Sequence, residues 1–380
     1  MLGRFALVLI LVGSVPLCAT CFACLWDRDT LAMERQRFPT TLELITGKFL
    51  RHSADFYRWR AEDRGERIEA EPSPELYDDL AVALEKVGET KQAIRVMETK
   101  ASLYPGLYAT HANLGTFYVH SKQLDLGLAE ITTAIAINPN AHFGRELYQK
   151  RLVEYLVSRG HGDHPKLPLS GETPSGMGPV GFGGFLVAID PEDVPREDPA
   201  LTIDKAIAGV LGMMKFGNHD SPVLLEALGD LLVSRGYESD GKQLAARAYL
   251  KASYEAEELD AQKSYRDKAK NCLRFQTIGG GSNTTLTLAE LESQFAEELL
   301  DARSWYETIV RKEKGWLASG ANVEEAFERE YYAQPEVGSM IAKGPNATLW
   351  GVIVAVVAAV SVVLLLAILR QRRNISRKAV

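Results

Sequence analysis

The body of this 380-residue chain is almost without cysteine. Three of its four cysteines, Cys18, Cys21 and Cys24, lie in an apolar N-terminal stretch, which leaves Cys272 alone in the remainder. A lone thiol cannot form a disulfide within the chain, so the fold is predicted to depend on packing. The spacing C-x2-C-x2-C has no fourth ligand and no following histidine, which disfavours a haem or metal site at the N-terminus.

Acidic residues outnumber basic ones between the two ends of the chain. The chain carries 43 Lys and Arg against 50 Asp and Glu, for a formal net charge of −7. Arg4 is the only charge before Asp27, and the last eleven residues contain five basic side chains and no acid. The intervening body is therefore acidic, which argues against nucleic acid as a partner because a duplex needs a basic footprint.

Sequence motifs of the common enzyme classes are missing. The chain has no H-E-x-x-H, no G-x-S-x-G and no G-x4-G-K-[ST]. The glycine-rich stretch 178–184 lacks the Lys-Ser/Thr of a phosphate loop and precedes an apolar run. Because phosphates are held by N–H groups at a helix start, and the sequence predicts no helix there, this stretch is interpreted as a flexible or packing loop.

Charge is absent altogether from residues 347–369, long enough to cross a bilayer as one helix. Basic residues of 370–380 follow directly, so the positive-inside rule predicts a cytoplasmic tail and a body on the outer, periplasmic side. Residues 1–24 have the basic start and short apolar core of a secretory signal peptide. Cleavage is favoured over an uncleaved anchor because Pro16 interrupts the apolar run.

What the chain does contain is an internal repeat between residues 74 and 141. Seven positions recur with a shift of 34 residues. The first set is Tyr77, Leu80, Ala81, Leu84, Ala93, Met97 and Pro105, and the second is His111, Leu114, Gly115, Tyr118, Gly127, Ile131 and Pro139. This period and pattern resemble the tetratricopeptide repeat, a helix–turn–helix unit that must stack on its neighbours to bury its apolar face.

The resemblance implies an all-α helical-hairpin solenoid over residues 40–160, with clear repeats at 74–107 and 108–141. The stretch 161–200 is rich in glycine and proline and is predicted to be an insertion without helix, with a short extended segment at 185–189. The repeat helix that it displaces is predicted at 203–214.

Beyond the insertion, 201–278 is predicted to hold divergent repeat-like helices, including a pair at 222–256 and a helix over 259–274. A glycine-rich linker, 279–286, then leads to juxtamembrane helices over 287–340. Thr287 and Glu290 have the spacing of a capping box at the start of the first.

The same resemblance predicts a partner-binding groove along the first helix of each repeat. Its residues are Glu75, Asp78, Val82, Glu85 and Lys86 from the first repeat and Ala112, Asn113, Thr116 and His120 from the second. Asn113 falls at the position of an asparagine that grips peptide ligands in some family members. The groove is acidic at one end, which favours a basic or apolar helical ligand; the alternative is that a neighbouring part of this chain fills it.

Two further possibilities stay open at this level. His161, Asp163, His164, His219 and Asp220 include ligand types suited to zinc, which would fit a metal-binding enzyme or sensor, although loop histidines beside aspartate are more often simply solvated. An apolar stripe within 288–312 predicts either packing on the repeats or self-association. Taken together, the sequence is similar to membrane-anchored bacterial tetratricopeptide-repeat proteins and predicts a scaffold that binds a protein partner, without catalytic activity or cofactor.

Overall fold

The structure is a computed structural model that describes residues 25–28, 37–160, 166–174, 178–189, 199–235, 241–274 and 286–332. Within those ranges every regular element is helical, which confirms the all-α prediction there. The predicted signal peptide 1–24 and the predicted span 347–369 lie outside the described residues. Among the described helices, none has both the length and the apolar character required to cross a membrane.

Over residues 37–160 the structure describes seven α-helices joined by short loops. They are α1 (Thr41–Thr46), α2 (Ala54–Ala70), α3 (Pro74–Lys86), α4 (Thr90–Leu103), α5 (Tyr108–His120), α6 (Leu124–Ile137) and α7 (Arg145–Ser158). The second half continues with α8 (Gly181–Ala188), α9 (Pro199–Phe216), α10 (Pro222–Ser234), α11 (Gly241–Glu255), α12 (Leu259–Arg274), α13 (Leu288–Ser319) and α14 (Val323–Phe327).

Local sequence signals set several of the helix starts. Ser53, Ser73 and Ser221 each cap a helix by accepting a hydrogen bond from a backbone N–H, and proline follows directly in the last two cases. The predicted capping box of α13 is confirmed, since Glu290 N donates to Thr287 Oγ1 at 3.3 Å and Thr287 N donates to Glu290 Oε2 at 2.8 Å.

The two clear repeats each form a helical hairpin, α3 with α4 and α5 with α6, and α3 also contacts α5. Helices α4 and α6 end just ahead of Pro105 and Pro139, as predicted. In the second hairpin a Cβ added at Gly115 would lie 2.7 Å from Ile131 Cγ1, and one at Gly127 would lie 3.0 Å from Gly115 O. Glycine at these two positions therefore allows α5 and α6 to approach closely.

The glycine- and proline-rich insertion differs from its prediction. Residues 181–188 form helix α8, so the predicted extended segment at 185–189 and the absence of helix from 161–199 were wrong. The physical reason is tertiary: Phe182 and Leu186, one helical turn apart, are both buried in the main core. A helix is present where the displaced repeat helix was predicted at 203–214, as α9, while its origin as a repeat helix stays a prediction.

The main hydrophobic core lies in the second half of the chain. Helix α10 is its central element, because all of residues 222–233 are buried. Helices α8, α9 and α11 pack on it, and side chains of α7 and α12 join the same continuous apolar cluster. The predicted helix pair at 222–256 and the helix at 259–274 are present as α10, α11 and α12.

The long helix α13 lies against α1, α2, α11 and α12. Leu291, Phe295 and Ile309 of its apolar stripe are buried within the chain. His52 Nδ1 and Ser53 N meet the two carboxylate oxygens of the buried Glu313 at 2.6 Å and 2.8 Å. The stripe thus packs on the helical body, while self-association through 288–312 stays a prediction. Residues 324–332, which form most of α14 and a π-helical turn at Glu328–Tyr332, are assigned to a second compact unit.

Candidate peptide-binding groove

The structure brings the predicted groove residues of α3 and α5 together. Asn113 Nδ2 donates to Asp78 Oδ1 at 3.1 Å, and His120 Nδ1 lies 2.5 Å from Glu85 Oε1. These contacts join positions on the first helix of one repeat to positions on the first helix of the next. The two rows therefore form one continuous surface, as the 34-residue spacing predicts.

Most of this surface is covered by other parts of the same chain. Glu75 is exposed and Lys86 is half-buried, whereas seven of the nine predicted residues are buried: Asp78, Val82, Glu85, Ala112, Asn113, Thr116 and His120. This arrangement agrees with the alternative prediction, in which a neighbouring part of the chain fills the groove.

At the C-terminal ends of α3 and α5 the groove is covered by helices α7 and α9. Lys86 Nζ donates to the carbonyl oxygens of Phe216 and Gly217, at 2.6 Å and 2.8 Å, where α9 ends. An ammonium group near the last carbonyls of a helix is favourable because those carbonyls have no partner within the helix. Gln149 of α7 donates to Thr116 Oγ1 at 3.1 Å. This end of the groove is closed by packing of helices within the chain.

At the other end the groove holds a short peptide-like segment, residues 25–28. Asn113 binds the backbone of Trp26 at two points: its Oδ1 accepts from Trp26 N at 2.9 Å, and its Nδ2 donates to Trp26 O at 3.0 Å. A carboxamide can both accept and donate hydrogen bonds, so it can satisfy the backbone N–H and C=O of one residue. This contact recognises a backbone and is independent of the ligand's side chains.

The first two side chains of the segment occupy apolar positions. Leu25 is only 2 % exposed and belongs to a cluster that includes Val82, Met97 and Phe117. Trp26 is half-buried, and its ring meets that of Tyr108 edge to face, with 5.4 Å between centroids. The groove thus offers an enclosed aliphatic pocket beside a more open aromatic contact.

The next two residues are held by charges on α2 and α3. The Asp27 carboxylate is 3.2 Å from Arg60 Nη1, and both side chains are buried. Arg28 N donates to Asp79 Oδ1 at 3.1 Å, while the other oxygen of Asp79 accepts from Arg64 Nε at 2.9 Å. An acidic side chain at the third position of the segment is therefore matched by an arginine.

A buried ion pair supports the groove from below. Lys100 Nζ donates to both oxygens of Asp78 at 2.6 Å, and Asp78 in turn accepts from Asn113. Burial raises the pKa of Asp78 to about 7, although Lys100 and Asn113 act in the opposite direction. Because Asp78 also fixes the orientation of Asn113, this pair positions the groove's backbone-binding amide.

An open cleft of about 670 Å³ lies beside the segment. It is bordered by residues 26–28, by Arg64 and Arg67 of α2, and by Glu75 and Asp78 of α3. Glu75, the exposed member of the predicted groove, thus faces space next to the bound segment.

The candidate metal site is only partly in view. His161, Asp163 and His164 lie outside the described residues. His219 Nε2 is 3.3 Å from Asp220 Oδ1, and burial lowers the pKa of His219 to about 3. In the parts of the chain that the structure describes, three or more potential ligands do not come together anywhere.

The glycine-rich stretch 178–184 does reach a helix start, contrary to its interpretation from the sequence. The N–H groups there are occupied by carboxylates of the chain itself: Gly181 N donates to Glu172 Oε2 at 2.9 Å and Phe182 N donates to Asp230 Oδ2 at 3.0 Å. Carboxylates replace the phosphate oxygens that such N–H groups bind elsewhere, so this stretch is a packing element.

Three parts of the groove were not predicted from the sequence: the segment 25–28, Arg60 and Lys100. A charged residue on a helix is normally solvated, and nothing in the local pattern distinguishes Arg60 or Lys100 from such residues. The predicted signal peptide ends at residue 24, and no role was predicted for Leu25 or Trp26. Asn113 was identified only through its place in the repeat.

No model of a known protein family matches the chain, and a search of curated proteins gives no match either.

Proposed function

We propose that this protein is a tetratricopeptide-repeat-like scaffold that binds a protein partner in the groove of α3 and α5. It acts by binding, without catalysis and without a cofactor. A single C-terminal span over 347–369 holds it in a membrane, with the body on the outer, periplasmic side and the tail in the cytoplasm.

The observation that carries this proposal is the register between the two hairpins. Equivalent positions 34 residues apart lie on neighbouring helices, and the groove residues of α3 and α5 meet through the contacts Asp78–Asn113 and Glu85–His120. Stacked hairpins of this kind present a row of side chains to a ligand, and their usual task is protein recognition.

The membrane part of the proposal is supported by the charge pattern alone. Residues 347–369 contain no charged side chain, and five basic residues follow them. A tether would keep the groove close to the bilayer and raise the local concentration of membrane-bound partners.

Site-specific photo-crosslinking in living cells tests the binding function. A photoreactive amino acid placed at Glu75, which is exposed beside the groove, is expected to capture a discrete partner. The control position is Leu259, which is 79 % exposed on α12. Capture at neither position, or the same products at both, would refute the scaffold function.

The anchor is tested by fractionation of the same cells. The full chain is expected to resist extraction with alkaline carbonate, and a chain that ends before residue 347 is expected to be released. Release of the full chain under these conditions contradicts the tether.

A further inference from the structure

We propose that the groove is a receptor for a peptide of the order aliphatic–aromatic–acidic, and that residues 25–28 are an internal ligand that competes with it. The inference rests on the proposed function and names the partner's chemistry. Its basis is the way in which the groove holds Leu25, Trp26 and Asp27.

The segment is held as a ligand is held, through its backbone. Asn113 satisfies both polar groups of Trp26, and Asp79 accepts the N–H of Arg28. These contacts to the backbones of Trp26 and Arg28 hold a chain of any sequence and set its register, with a bend at Asp27 and a helical conformation at Arg28. The groove would therefore accept another peptide in the same direction and register.

Specificity comes from two buried positions. Leu25 lies in an apolar cluster with side chains of α3, α4 and α5, including Val82, Met97 and Phe117, and this environment disfavours a charged residue. Two positions further along, Arg60 is fully buried and faces the carboxylate of Asp27. A ligand without an acid there would not replace the contact that the Asp27 carboxylate makes with this guanidinium. Losing a charge partner is costly in a buried site. Between them, the contact of Trp26 with Tyr108 favours an aromatic residue.

The proposed ligand carries an acidic residue, unlike the ligand that the charge of the groove predicts. The acidic character of the groove predicts a basic or apolar helical ligand, but the two acids nearest the segment are already engaged. Asp78 is paired with Lys100, and Asp79 binds Arg64 and the backbone of Arg28. Arg60 lies 3.3 Å from Asp79 Oδ2 through Nη2, and its Nη1 meets the carboxylate of Asp27. A ligand carboxylate in the place of Asp27 would meet the same Nη1.

An internal ligand lowers the apparent affinity for an external one in proportion to its occupancy. A segment that fills the groove nine-tenths of the time weakens external binding about tenfold. Weakening the segment without altering the groove should remove this competition.

The experiment measures fluorescence anisotropy of a labelled peptide, Gly-Leu-Trp-Asp-Arg-Gly, with the full chain in detergent micelles. A chain carrying Leu25→Ser, Trp26→Ala and Asp27→Ala is expected to bind this peptide at least about tenfold more tightly than the wild type. In that background Asn113→Ala is expected to weaken binding at least about tenfold, whereas the matched control Asn138→Ala, exposed at the end of α6, leaves it unchanged. A peptide with lysine in place of aspartate is expected to bind at least about tenfold more weakly.

Equal affinity of the wild type and the triple variant, with circular dichroism unchanged, overturns the internal competition. Equal affinity with and without Asn113→Ala overturns the site. If the triple variant does not fold, Asp27→Ala alone carries the same comparison with a smaller expected gain. Capture of a partner through Glu75 combined with failure of the peptide in every variant would refute this inference and leave the scaffold function intact.

Discussion

Lys100 donates two hydrogen bonds of 2.6 Å to the carboxylate of Asp78, and both side chains are almost completely buried. The pair links the two helices of the first hairpin, because Asp78 lies on α3 and Lys100 on α4. It also touches the groove, since Asp78 accepts from Asn113. The backbone-binding amide is therefore coupled to the stability of the repeat below it.

Removal of one partner of this pair should be strongly destabilising. Asp78→Ala leaves the Lys100 ammonium buried without its carboxylate, with an expected loss of about 3–5 kcal/mol in the free energy of unfolding. Asp78→Asn combined with Lys100→Met should recover most of this loss. Urea unfolding followed by circular dichroism measures both. Asp301→Ala is the control, because it breaks an exposed pair with Lys48 and should cost less than about 1 kcal/mol; similar losses for Asp78→Ala and Asp301→Ala would contradict the prediction.

Acid should destabilise the protein through His219. Burial lowers the pKa of this imidazole from 6.5 to about 3. The nearby Asp220 raises the pKa, whereas the cations Arg51, Lys251 and Lys86 lower it further. Between pH 3 and 6.5 the unfolded chain therefore binds a proton that the folded chain does not, so stability is lost as the pH falls below 6.5.

The expected loss from His219 between pH 7 and pH 5 is about 2 kcal/mol. Urea unfolding of the wild type and of His219→Asn at both pH values isolates it, since groups with a raised pKa such as Asp78 contribute equally to both proteins and cancel. The variant should lose less stability than the wild type over this interval. Parallel losses would show that His219 is protonated normally in the folded protein.

Gly115→Ala should separate the helices of the second hairpin. The new Cβ would lie 2.7 Å from Ile131 Cγ1 and 3.0 Å from Ile131 N, and the second of these is backbone that cannot rotate away. We expect a net loss of about 1–2 kcal/mol, from overpacking minus the gain in helix propensity. Gly65→Ala is the matched control, because a Cβ there meets nothing within 4 Å and should stabilise α2 by up to about 1 kcal/mol. If the midpoints of urea unfolding shift in the same direction for Gly115→Ala and Gly65→Ala, the close approach of α5 and α6 is refuted.

Glu226→Gln should release the segment 166–174 from the core. Both oxygens of Glu226 accept from backbone N–H groups of Leu169 and Ser170, and the same carboxylate binds Lys268 Nζ at 2.9 Å. A neutral amide has one acceptor oxygen, so one N–H contact is lost and the buried ammonium loses its charge partner. Trypsin cleavage after the exposed Lys166, followed by mass spectrometry, should become several-fold faster.

The control for that experiment is Glu298→Gln, which alters a partly exposed pair with Arg247 far along the sequence from Lys166. It should leave cleavage after Lys166 unchanged. An unchanged rate for Glu226→Gln would show that other contacts hold the segment.

The helices of the repeats were predictable because their signals are local. Ser53, Thr287 and the prolines at 105 and 139 act through the first or last turn of a helix, so neighbouring residues suffice to locate them. Helix α8 was missed because its glycine-rich sequence has a weak preference for helix. Its stability comes from Phe182 and Leu186 in the core and from Asp230, which is distant in sequence.

The candidate groove also contains residues that the sequence predicts and residues that it does not. Asn113 could be assigned to the groove because the position of a residue in the repeat determines the face of the helix on which it lies. The roles of Arg60, Lys100 and the segment 25–28 could not, since a buried ion pair and a solvated charge have the same residue types.

The sequence alone determined that residues 74–141 form two equivalent helical hairpins, because a 34-residue period, small residues at the helix contacts and proline after each second helix are sufficient for that unit. Only the tertiary structure decided that the groove between them is already occupied. The physical reason is that occupancy depends on the difference in free energy between a bound and a released segment, and that difference is set by contacts of Leu25, Trp26 and Asp27 with helices far away in the chain.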